Sequence, residues 1–289
     1  MLARAPICVL LAGLICFGGF TPPAVARARA DVAALQVALR ASAAYSGPIN
    51  GVRGPGTLAA VRGVQSRAGL AADGIVGPRT RRALGRIGLH RYGSRAIGAG
   101  DIGWDVAALQ FKLAVHGFPS ADFDGVLGPH ALGALQRFQR WARLPVDGVA
   151  GRATLRALRQ PPARSPVRLL WPLRAPLGNR FGPRGTHFHS GIDVPAARGV
   201  PVGAAGFGTV AFAGLHSSGW GNLVILRHRF GLQTLYAHLS EVDVRPGQFV
   251  PAGGRVGRVG ATGSATGPHL HFEILLRGAN IDPLSALGY

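Results

Sequence analysis

The sequence of 289 residues is poor in several residue types, and each shortage excludes a class of protein. Its two cysteines are Cys8 and Cys16, so the remainder of the chain has no disulfide and no catalytic thiol. Lys112 is the only lysine, and it follows Phe111, which excludes a phosphate-binding loop ending in Gly-Lys-Ser/Thr. Carboxylates are also scarce, with 12 Asp and Glu against 32 Lys and Arg.

The shortage of carboxylates leaves a formal net charge of +20, which predicts an anionic partner. Nucleic acid, anionic lipid and an anionic cell-wall polymer each satisfy that prediction. The excess is +10 in residues 31–160 and +7 in residues 161–289, so it is not gathered in a nucleic-acid-binding tail. A hydrophobic content of 47% excludes a wholly disordered chain despite 44 glycines and 21 prolines.

The first thirty residues have the composition of a secretory signal peptide. Residues 1–4 are basic, residues 7–20 form an uncharged apolar run, and residues 24–26 supply the small residues of a cleavage site. The apolar run is too short to span a bilayer comfortably. We therefore expect residues 1–30 to be a signal peptide and the mature chain to be secreted and cell-wall associated. Export also disfavours a nucleic-acid partner and stable membrane insertion after cleavage.

Two stretches of the chain repeat each other at an offset of 74 residues. The matching segments are 31–36 and 105–110, 50–51 and 124–125, and 73–74 and 147–148. Leucines four residues apart give each first helix an apolar stripe, while Asp-Gly and Gly-Pro pairs separate three helices in each unit. The repeat therefore predicts two small three-helix bundles, which we call module 1 (residues 31–90) and module 2 (residues 101–160).

The motifs of these modules resemble the peptidoglycan-binding domain family. The resemblance rests on Leu-Gln in the first helix, on Asp-Gly-x-x-Gly-Pro-x-Thr turns, and on Phe138-Gln139 in the middle helix. Module 2 is the better match, because module 1 has Val64-Gln65 where Phe-Gln is usual. The resemblance implies bacterial peptidoglycan as a partner, with other anionic cell-wall polymers left open. A pair of structural bundles without a ligand is the alternative.

The character of the sequence changes after residue 160. Residues 161–167 are rich in proline and predict an extended linker to a domain of residues 168–289. Short runs of β-type residues bounded by glycine then predict an antiparallel, mainly β domain. The predicted strands are 208–212, 222–229, 232–236, 255–259 and 270–276, with a hairpin at 230–231. The predicted fold class is multidomain α + β, with two small three-helix-bundle modules followed by a mainly antiparallel β catalytic domain.

Histidine is concentrated in this β domain, which holds seven of the ten histidines but only five carboxylates. Such an excess of imidazoles favours a zinc-type site over a calcium or magnesium site. His269 and His271 lie two residues apart on a predicted strand, so both imidazoles project from one face. His189 and Asp193 flank Gly191, which permits a tight turn that brings their side chains together.

Three short motifs follow one another in this domain: His-x-x-x-Asp from His189, Tyr-Ala-His-Leu from Tyr236, and His-Leu-His-Phe from His269. In this order they resemble the lysostaphin/LytM-type (M23) zinc metallopeptidases over about residues 171–285. The chain has neither a G-x-S-x-G nor an H-E-x-x-H sequence, which disfavours a serine hydrolase or a thermolysin-like site.

The resemblance implies a role for each motif residue. It implies one zinc ion per chain, held by His189, Asp193 and His271, with an open position for water. It also implies that His238 and His269 are catalytic histidines that orient and deprotonate the water, stabilise the oxyanion and protonate the leaving amine.

Other residues of the β domain have weaker predictions. Glu273 lies on the same strand face as the histidines and is predicted to fix a histidine tautomer. His187 is a rival ligand that lacks the spacing to Asp193, so we predict that it lines the cleft. His216 and His228 have no motif partner and are predicted at the surface. Pro183 stands where some members of the M23-type family carry a tyrosine. The sequence therefore does not identify which residue would supply an additional hydrogen bond to the oxyanion.

These observations predict a secreted zinc metalloendopeptidase, a peptidoglycan hydrolase that cuts peptide stems or cross-bridges. The tandem modules would hold it on the wall and raise its effective concentration there. The alternative is a non-catalytic cell-wall-binding protein that regulates another wall hydrolase. A third interpretation, a protein that binds nucleic acid or a membrane surface, rests on the net charge alone. We expect a monomer.

Overall fold

A computed structural model of the chain describes residues 28–288. Within these residues six α-helices lie before residue 160 and twelve β-strands lie after residue 180, which confirms the predicted α + β fold class. Almost all of the predicted signal peptide, including both cysteines, lies outside the described residues. None of the helices between residues 28 and 288 is long and apolar enough to cross a bilayer.

Three helices form in each half of the repeat. The first half contains α1 (Ala30–Ala41), α2 (Pro55–Arg67) and α3 (Pro78–Ala83), followed by a short 3₁₀ turn. The second half contains α4 (Trp104–Val115), α5 (Pro129–Trp141) and α6 (Arg152–Ala157). Helices α2, α3 and α5 begin with a proline that follows glycine. This start is favourable because the fixed φ of proline suits the first helical position, where its missing N–H has no partner to lose.

A buried glutamine joins each Asp-Gly or Asn-Gly turn to the helix before it. Gln139 on α5 donates to the Asp147 carboxylate at 2.8 Å and to the Val149 carbonyl at 3.1 Å, and it accepts the Gly148 N–H at 3.0 Å. Equivalent bonds are made by Gln36, Gln65 and Gln110. The four turn glycines share φ values of 71–77°, a left-handed conformation that favours glycine. The repeated sequence motif is therefore a repeated polar network.

The two halves of the repeat contact each other through their first helices. Alanines on α1, including Ala34 and Ala38, and alanines on α4, including Ala107 and Ala108, are buried in one apolar cluster. Because alanine side chains are small, the two helix backbones can lie close together.

The β domain is built mainly from antiparallel pairs. Its strands are β1 (Gly182–Arg184), β2 (His187–His189), β3 (Ile192–Pro195), β4 (Pro201–Gly203), β5 (Gly208–His216), β6 (Gly221–Arg227), β7 (Leu232–Leu239), β8 (Glu241–Val242), β9 (Phe249–Val250), β10 (Arg255–Arg258), β11 (His269–Leu276) and β12 (Ala279–Ile281). The largest sheet has the order β12-β11-β7-β6-β5-β9, and β3 pairs with β11 beside it. A smaller sheet, β4-β10-β8, contributes Val202 and Val256 to the core that holds Tyr236 and Phe272.

The five predicted strands correspond to β5, β6, β7, β10 and β11, and the predicted hairpin joins β6 to β7. Three of them are longer than predicted, because β5 continues to His216, β7 continues to Leu239 and β11 begins at His269. The other two, β6 and β10, end one or two residues before the predicted ends. The other seven strands have two to four residues each, which is too short for a two-residue alternation to appear in the sequence. Their pairing depends on distant partners.

The β1–β2 hairpin is held by both helical modules. The N–H of Ile49 in module 1 donates to the Gly185 carbonyl at 2.8 Å, and the N–H of Phe123 in module 2 donates to the Thr186 carbonyl at 2.8 Å. The Thr186 hydroxyl also donates to the Asp122 carboxylate at 2.7 Å. The hairpin turn therefore lies between the modules and the rest of the β domain.

Module 2 also contacts the end of the largest sheet. The N–H of Asn280 on β12 donates to the Gly117 carbonyl at 3.0 Å, and a Cβ atom at Gly117 would collide with the Asn280 backbone. The indole N–H of Trp141 donates to the Leu276 carbonyl at 3.3 Å. Glycine at position 117 is thus required for the close approach of the two chain segments.

Replacing Gln139 by leucine is expected to destabilise module 2. The substitution leaves the Asp147 carboxylate and the buried Gly148 N–H without their partner, and we expect the free energy of unfolding to fall by about 2 kcal/mol. Urea denaturation followed by circular dichroism measures the change. The control is Gln136→Leu on the same helix at a half-buried position, where a change of about 0.5 kcal/mol or less is expected. Equal losses in both variants would contradict the structural role of the glutamine network.

Candidate metal centre

Strand β11 brings the three histidine motifs together because it pairs with both β3 and β7. The register places His271 opposite Asp193 on β3 and opposite Ala237, the neighbour of His238, on β7. His189 is the last residue of β2, four positions before Asp193. Gly191 lies against β11, where a Cβ atom would collide with the carbonyl of Phe272. The glycine is needed for this close approach, and its φ is not in the left-handed region expected of a tight turn.

His189, Asp193 and His271 form a compact buried cluster. The Asp193 Oδ1 atom lies 3.0 Å from His189 Nε2 and 2.8 Å from His271 Nδ1, and the two nitrogens are 3.1 Å apart. All three residues are at most 7% exposed. Among the described residues this is the one group of three or more His, Cys, Asp or Glu side chains whose donor atoms are close enough to hold a metal ion.

Each histidine of the cluster is oriented by its second ring nitrogen. His189 Nδ1 lies 2.9 Å from the Arg180 carbonyl, and His271 Nε2 lies 3.3 Å from the Glu273 carboxylate. In the neutral form of each ring, the nitrogen that faces this oxygen carries the proton, so the lone pairs of His189 Nε2 and His271 Nδ1 point into the cluster and are available to a metal ion. Glu273 also accepts from the Ser190 hydroxyl and from Asn280 Nδ2, the latter at 2.8 Å.

Burial and hydrogen bonding act in opposite directions on the charges of the cluster. Burial raises the pKa of the Asp193 carboxyl, but hydrogen bonds from His189 and His271 outweigh it and hold that pKa below its ordinary value. Burial lowers the pKa of His271, whereas its contacts with Asp193 and Glu273 raise that pKa to about 9. Without a metal ion, the site therefore combines an ionised carboxylate with a protonated histidine.

His238 and His269 lie beside the cluster without joining it. Their ring centroids are 4.9 Å apart, and His269 Nε2 is 3.7 Å from Asp193 Oδ1. His238 Nδ1 faces the Thr262 carbonyl at 2.8 Å and His269 Nδ1 faces the Gly267 carbonyl at 2.8 Å, which leaves the Nε2 lone pair of each ring free. Burial, and then the nearby histidines, lower the pKa of His238. A neutral His238 can accept a proton.

All five predicted site residues line one open cleft of about 700 Å³. Its wall includes Trp220, whose ring centroid lies 5.2 Å from that of His271. Sequence reasoning missed Asn179 and Arg184, which donate to the second oxygen of Asp193 at 3.1 and 3.3 Å. Neither falls in a motif. The sequence offers no signal for them beyond their closeness, in chain order, to the His-x-x-x-Asp motif that starts at His189.

The prediction that His187 lines the cleft is wrong. His187 is exposed, contacts Arg184, and is absent from the cleft lining. His228 is partly buried and makes hydrogen bonds to the Phe207 carbonyl at 2.8 Å and to the Thr234 hydroxyl at 2.7 Å. Its contacts come from strand pairing, which a single sequence does not reveal.

The chain matches two known families. Residues 187–283 match the family described as peptidase family M23, and residues 28–84 and 103–158 match the putative peptidoglycan binding domain. The first match covers all five predicted site residues, which are His189, Asp193, His238, His269 and His271, in a single segment. The second match covers both halves of the repeat.

Relatives of established name align with parts of the chain. The peptidoglycan DD-endopeptidase ShyB of Vibrio cholerae is 32% identical over 202 residues, which are 67% of this chain and 45% of that protein. The DD-carboxypeptidase/endopeptidase Mpg of Neisseria meningitidis is 42% identical over 115 residues, 39% of this chain and 26% of that protein. The chain thus spans less than half the length of either relative.

One solved structure similar to the chain is the catalytic domain of the antimicrobial peptidase lysostaphin from Staphylococcus simulans. It is 33% identical, and the alignment covers 38% of this chain and 90% of that chain with a TM-score of 0.36.

Metal binding is expected to depend on pH because a metal ion at His271 Nδ1 displaces a proton. With the pKa of His271 raised to about 9, the affinity for a divalent ion should increase by about tenfold per pH unit from neutrality towards that pKa. Calorimetry at neutral pH, in two buffers of different ionisation enthalpy, should show release of about one proton.

The matched variant for this measurement is Glu273→Gln, which removes one of the two carboxylates that raise the pKa of His271. In this variant the pH-dependent range should move to lower pH. An affinity that does not change with pH, together with no proton release, would contradict the proposed ligand.

Proposed function

We propose that this chain, whose residues 187–283 match peptidase family M23, is a secreted zinc metalloendopeptidase that hydrolyses peptide stems or cross-bridges of bacterial peptidoglycan. The observation that carries the proposal is the buried cluster of His189, Asp193 and His271 beside two further histidines in one open cleft.

The donor set of the cluster fits zinc. Two imidazole nitrogens and one carboxylate oxygen are ordinary zinc ligands, and with zinc–ligand bonds of about 2.0–2.1 Å the donors of a tetrahedral site lie about 3.3 Å apart. The corresponding distances here are 2.8–3.1 Å, so small shifts of the side chains suffice. Three protein ligands leave one position open, as a catalytic site requires. Bound zinc supplies the Lewis acidity that polarises a scissile carbonyl and acidifies a water molecule.

The two remaining histidines supply proton transfer. His238 is neutral at physiological pH because its pKa is lowered, and its free Nε2 faces the cleft, so it acts as the proton acceptor for the attacking water. His269 presents its own Nε2 beside Asp193 and His238. When Nε2 also carries a proton, this ring donates to the developing oxyanion and passes the proton to the leaving amine, while His238 holds the proton taken from the water. The carbonyls of Thr262 and Gly267 hold the two rings in these orientations.

Peptidoglycan is the proposed substrate and the partner of the helical modules. The relatives described above are named as peptidoglycan DD-endopeptidase and DD-carboxypeptidase/endopeptidase, and we propose a DD-endopeptidase activity for this cleft. Modules 1 and 2 match the putative peptidoglycan binding domain and would hold the enzyme on the wall. The net charge of +20 supports contact with anionic cell-wall polymers as well.

The proposal extends to localisation and assembly. We propose that residues 1–30 direct export and are then removed, and that a monomer acts outside the cytoplasmic membrane on the cell wall. Two modules followed by a linker and a peptidase domain suit this location, because the substrate is an insoluble polymer and a tethered enzyme dissociates from it slowly.

The activity is tested with purified chain, zinc and isolated cell walls. New amino termini should appear, and a chelator should stop their release. His269→Ala should lower the rate by about 10²–10⁴-fold, because it removes one of two proton-transfer groups. His130→Ala is the matched control, since this exposed histidine lies in module 2 far from the motif residues in sequence, and full activity is expected.

Two outcomes would change the assignment. A chain that binds zinc and cell walls but releases no amino termini would favour the non-catalytic regulator of another hydrolase. A chain that keeps its activity in the presence of a chelator and in His269→Ala would contradict the metal mechanism.

A further inference from the structure

The two helical modules differ at one groove. In module 1 a groove of about 650 Å³ lies between the loop that follows α1 and the side of α2. We call it the module 1 groove, and its lining includes Tyr45, Asn50, Gly56, Ala59, Gly63 and Arg67. Its volume is within the range of natural ligand pockets.

The module 1 groove has a defined wall. The Tyr45 hydroxyl donates to the Pro48 carbonyl at 3.0 Å, which fixes the tyrosine ring along the groove. On the same side, Arg40 donates to the carbonyls of Ser46 and Gly47 at 3.1 and 3.2 Å and so holds the loop in place.

The floor of the groove is made by small residues of α2. A Cβ atom at Gly63 would meet only Arg67 Nη1, at 4.0 Å, and a Cβ atom at Gly56 would meet only the Tyr45 ring, at 3.9 Å. Space is therefore open above both glycines.

In module 2 the space that corresponds to the module 1 groove is filled by a side chain of module 2. The offset of 74 residues puts Pro119 at the position of Tyr45 and Arg137 at the position of Gly63. Arg137 crosses from α5 to the loop, where its guanidinium donates to the Pro119 carbonyl at 3.0 Å. Its Nη1 atom also lies 3.6 Å from the place that a Cβ atom would take at Gly133. One side chain thus closes the groove of module 2.

The modules also differ at the end of the groove where Arg67 lies, and here too the larger contact is in module 2. Arg67 of module 1 is replaced in module 2 by Trp141, which packs against Phe118 at a centroid distance of 5.9 Å and donates to the Leu276 carbonyl of the β domain. This face of module 2 is therefore used to contact the peptidase domain. The equivalent face of module 1 remains exposed.

Charge distinguishes the modules as well. Residues 31–90 contain eight arginines and two aspartates, whereas residues 101–160 contain seven basic residues and five aspartates. No carboxylate lines the module 1 groove. Arg67 at its end is exposed and forms no ion pair with any residue of the described part of the chain.

We propose that the module 1 groove binds the anionic peptide stem of peptidoglycan, and that module 2 is a structural copy whose equivalent face packs against the peptidase domain. An extended peptide lies along the glycine and alanine floor beside Tyr45, and its carboxylate pairs with Arg67. The inference rests on the proposed function, because it assigns the wall binding of the tandem modules to one of them.

The test transfers the closing side chain of module 2 into module 1. Gly63→Arg places an arginine where module 2 has Arg137, at a site open enough to accept it. Binding of the full chain to insoluble peptidoglycan is measured by co-sedimentation, with EDTA present to prevent hydrolysis. We expect Gly63→Arg to weaken binding by about tenfold or more. Since the substitution adds a positive charge, which favours an anionic wall, its loss of affinity would come from the closed groove.

Three further variants test whether a loss of binding comes from the groove itself. Gly63→Ala adds only a methyl group and should bind like the unaltered chain. Arg67→Gln should weaken binding by about tenfold, because the charge-assisted pair with a carboxylate is lost. Arg137→Gly, the reverse exchange in module 2, should not weaken binding.

The outcomes distinguish the inference from the proposed function. If the unaltered chain does not sediment with peptidoglycan, both wall anchoring and the groove assignment are wrong. If the chain sediments and Gly63→Arg sediments equally well, the groove assignment alone is wrong. Glycan strands stripped of their peptides should not retain the chain, and retention that Gly63→Arg abolishes would identify a sugar ligand and overturn the peptide assignment.

Discussion

The antiparallel pairing of β11 with β3 on one edge and β7 on the other determines whether the site exists. This pairing sets His271 opposite Asp193 and next to the strand that carries His238. A shift of one residue would turn His269 and His271 to the opposite face of the sheet and separate them from Asp193. Gly191 makes the pairing possible, because any side chain there would meet the Phe272 carbonyl. The candidate metal site therefore depends on backbone register before it depends on side-chain chemistry.

The helical repeat shows how one framework can support two surfaces. Four buried glutamines hold four equivalent turns, so the backbone of the repeat is preserved wherever this network is complete. Positions outside the network are free to differ, and they do so at Gly63 and Arg137. One copy keeps a groove, while the other fills it and turns the adjacent Trp141 towards the β domain. At this face, the duplication would separate the proposed ligand contact of module 1 from the contact of module 2 with the β domain, without a change of fold.

Local patterns predicted much of this molecule. Helical periodicity and the Gly-Pro pairs indicated the six helices, and the alternation of His269 and His271 on a strand indicated that both imidazoles face one cleft. The short strands, the bond of His228 to Thr234, and the contacts of Asn179 and Arg184 with Asp193 were missed. Each of these depends on residues that are brought together only by the tertiary fold, and no local period records them. The purpose of Gly191 was misjudged for the same reason, since its neighbour in space is 81 positions away in the sequence.

The β1–β2 turn accepts a hydrogen bond from each module within four residues of His189. If module 1 holds the polymer as proposed, its groove and the cleft are linked through one short, hydrogen-bonded path. Under this proposal, hydrolysis would occur where the polymer held by module 1 reaches the cleft. The spacing of cuts along the wall would then reflect the dimensions of the protein as much as the sequence of the peptide it hydrolyses.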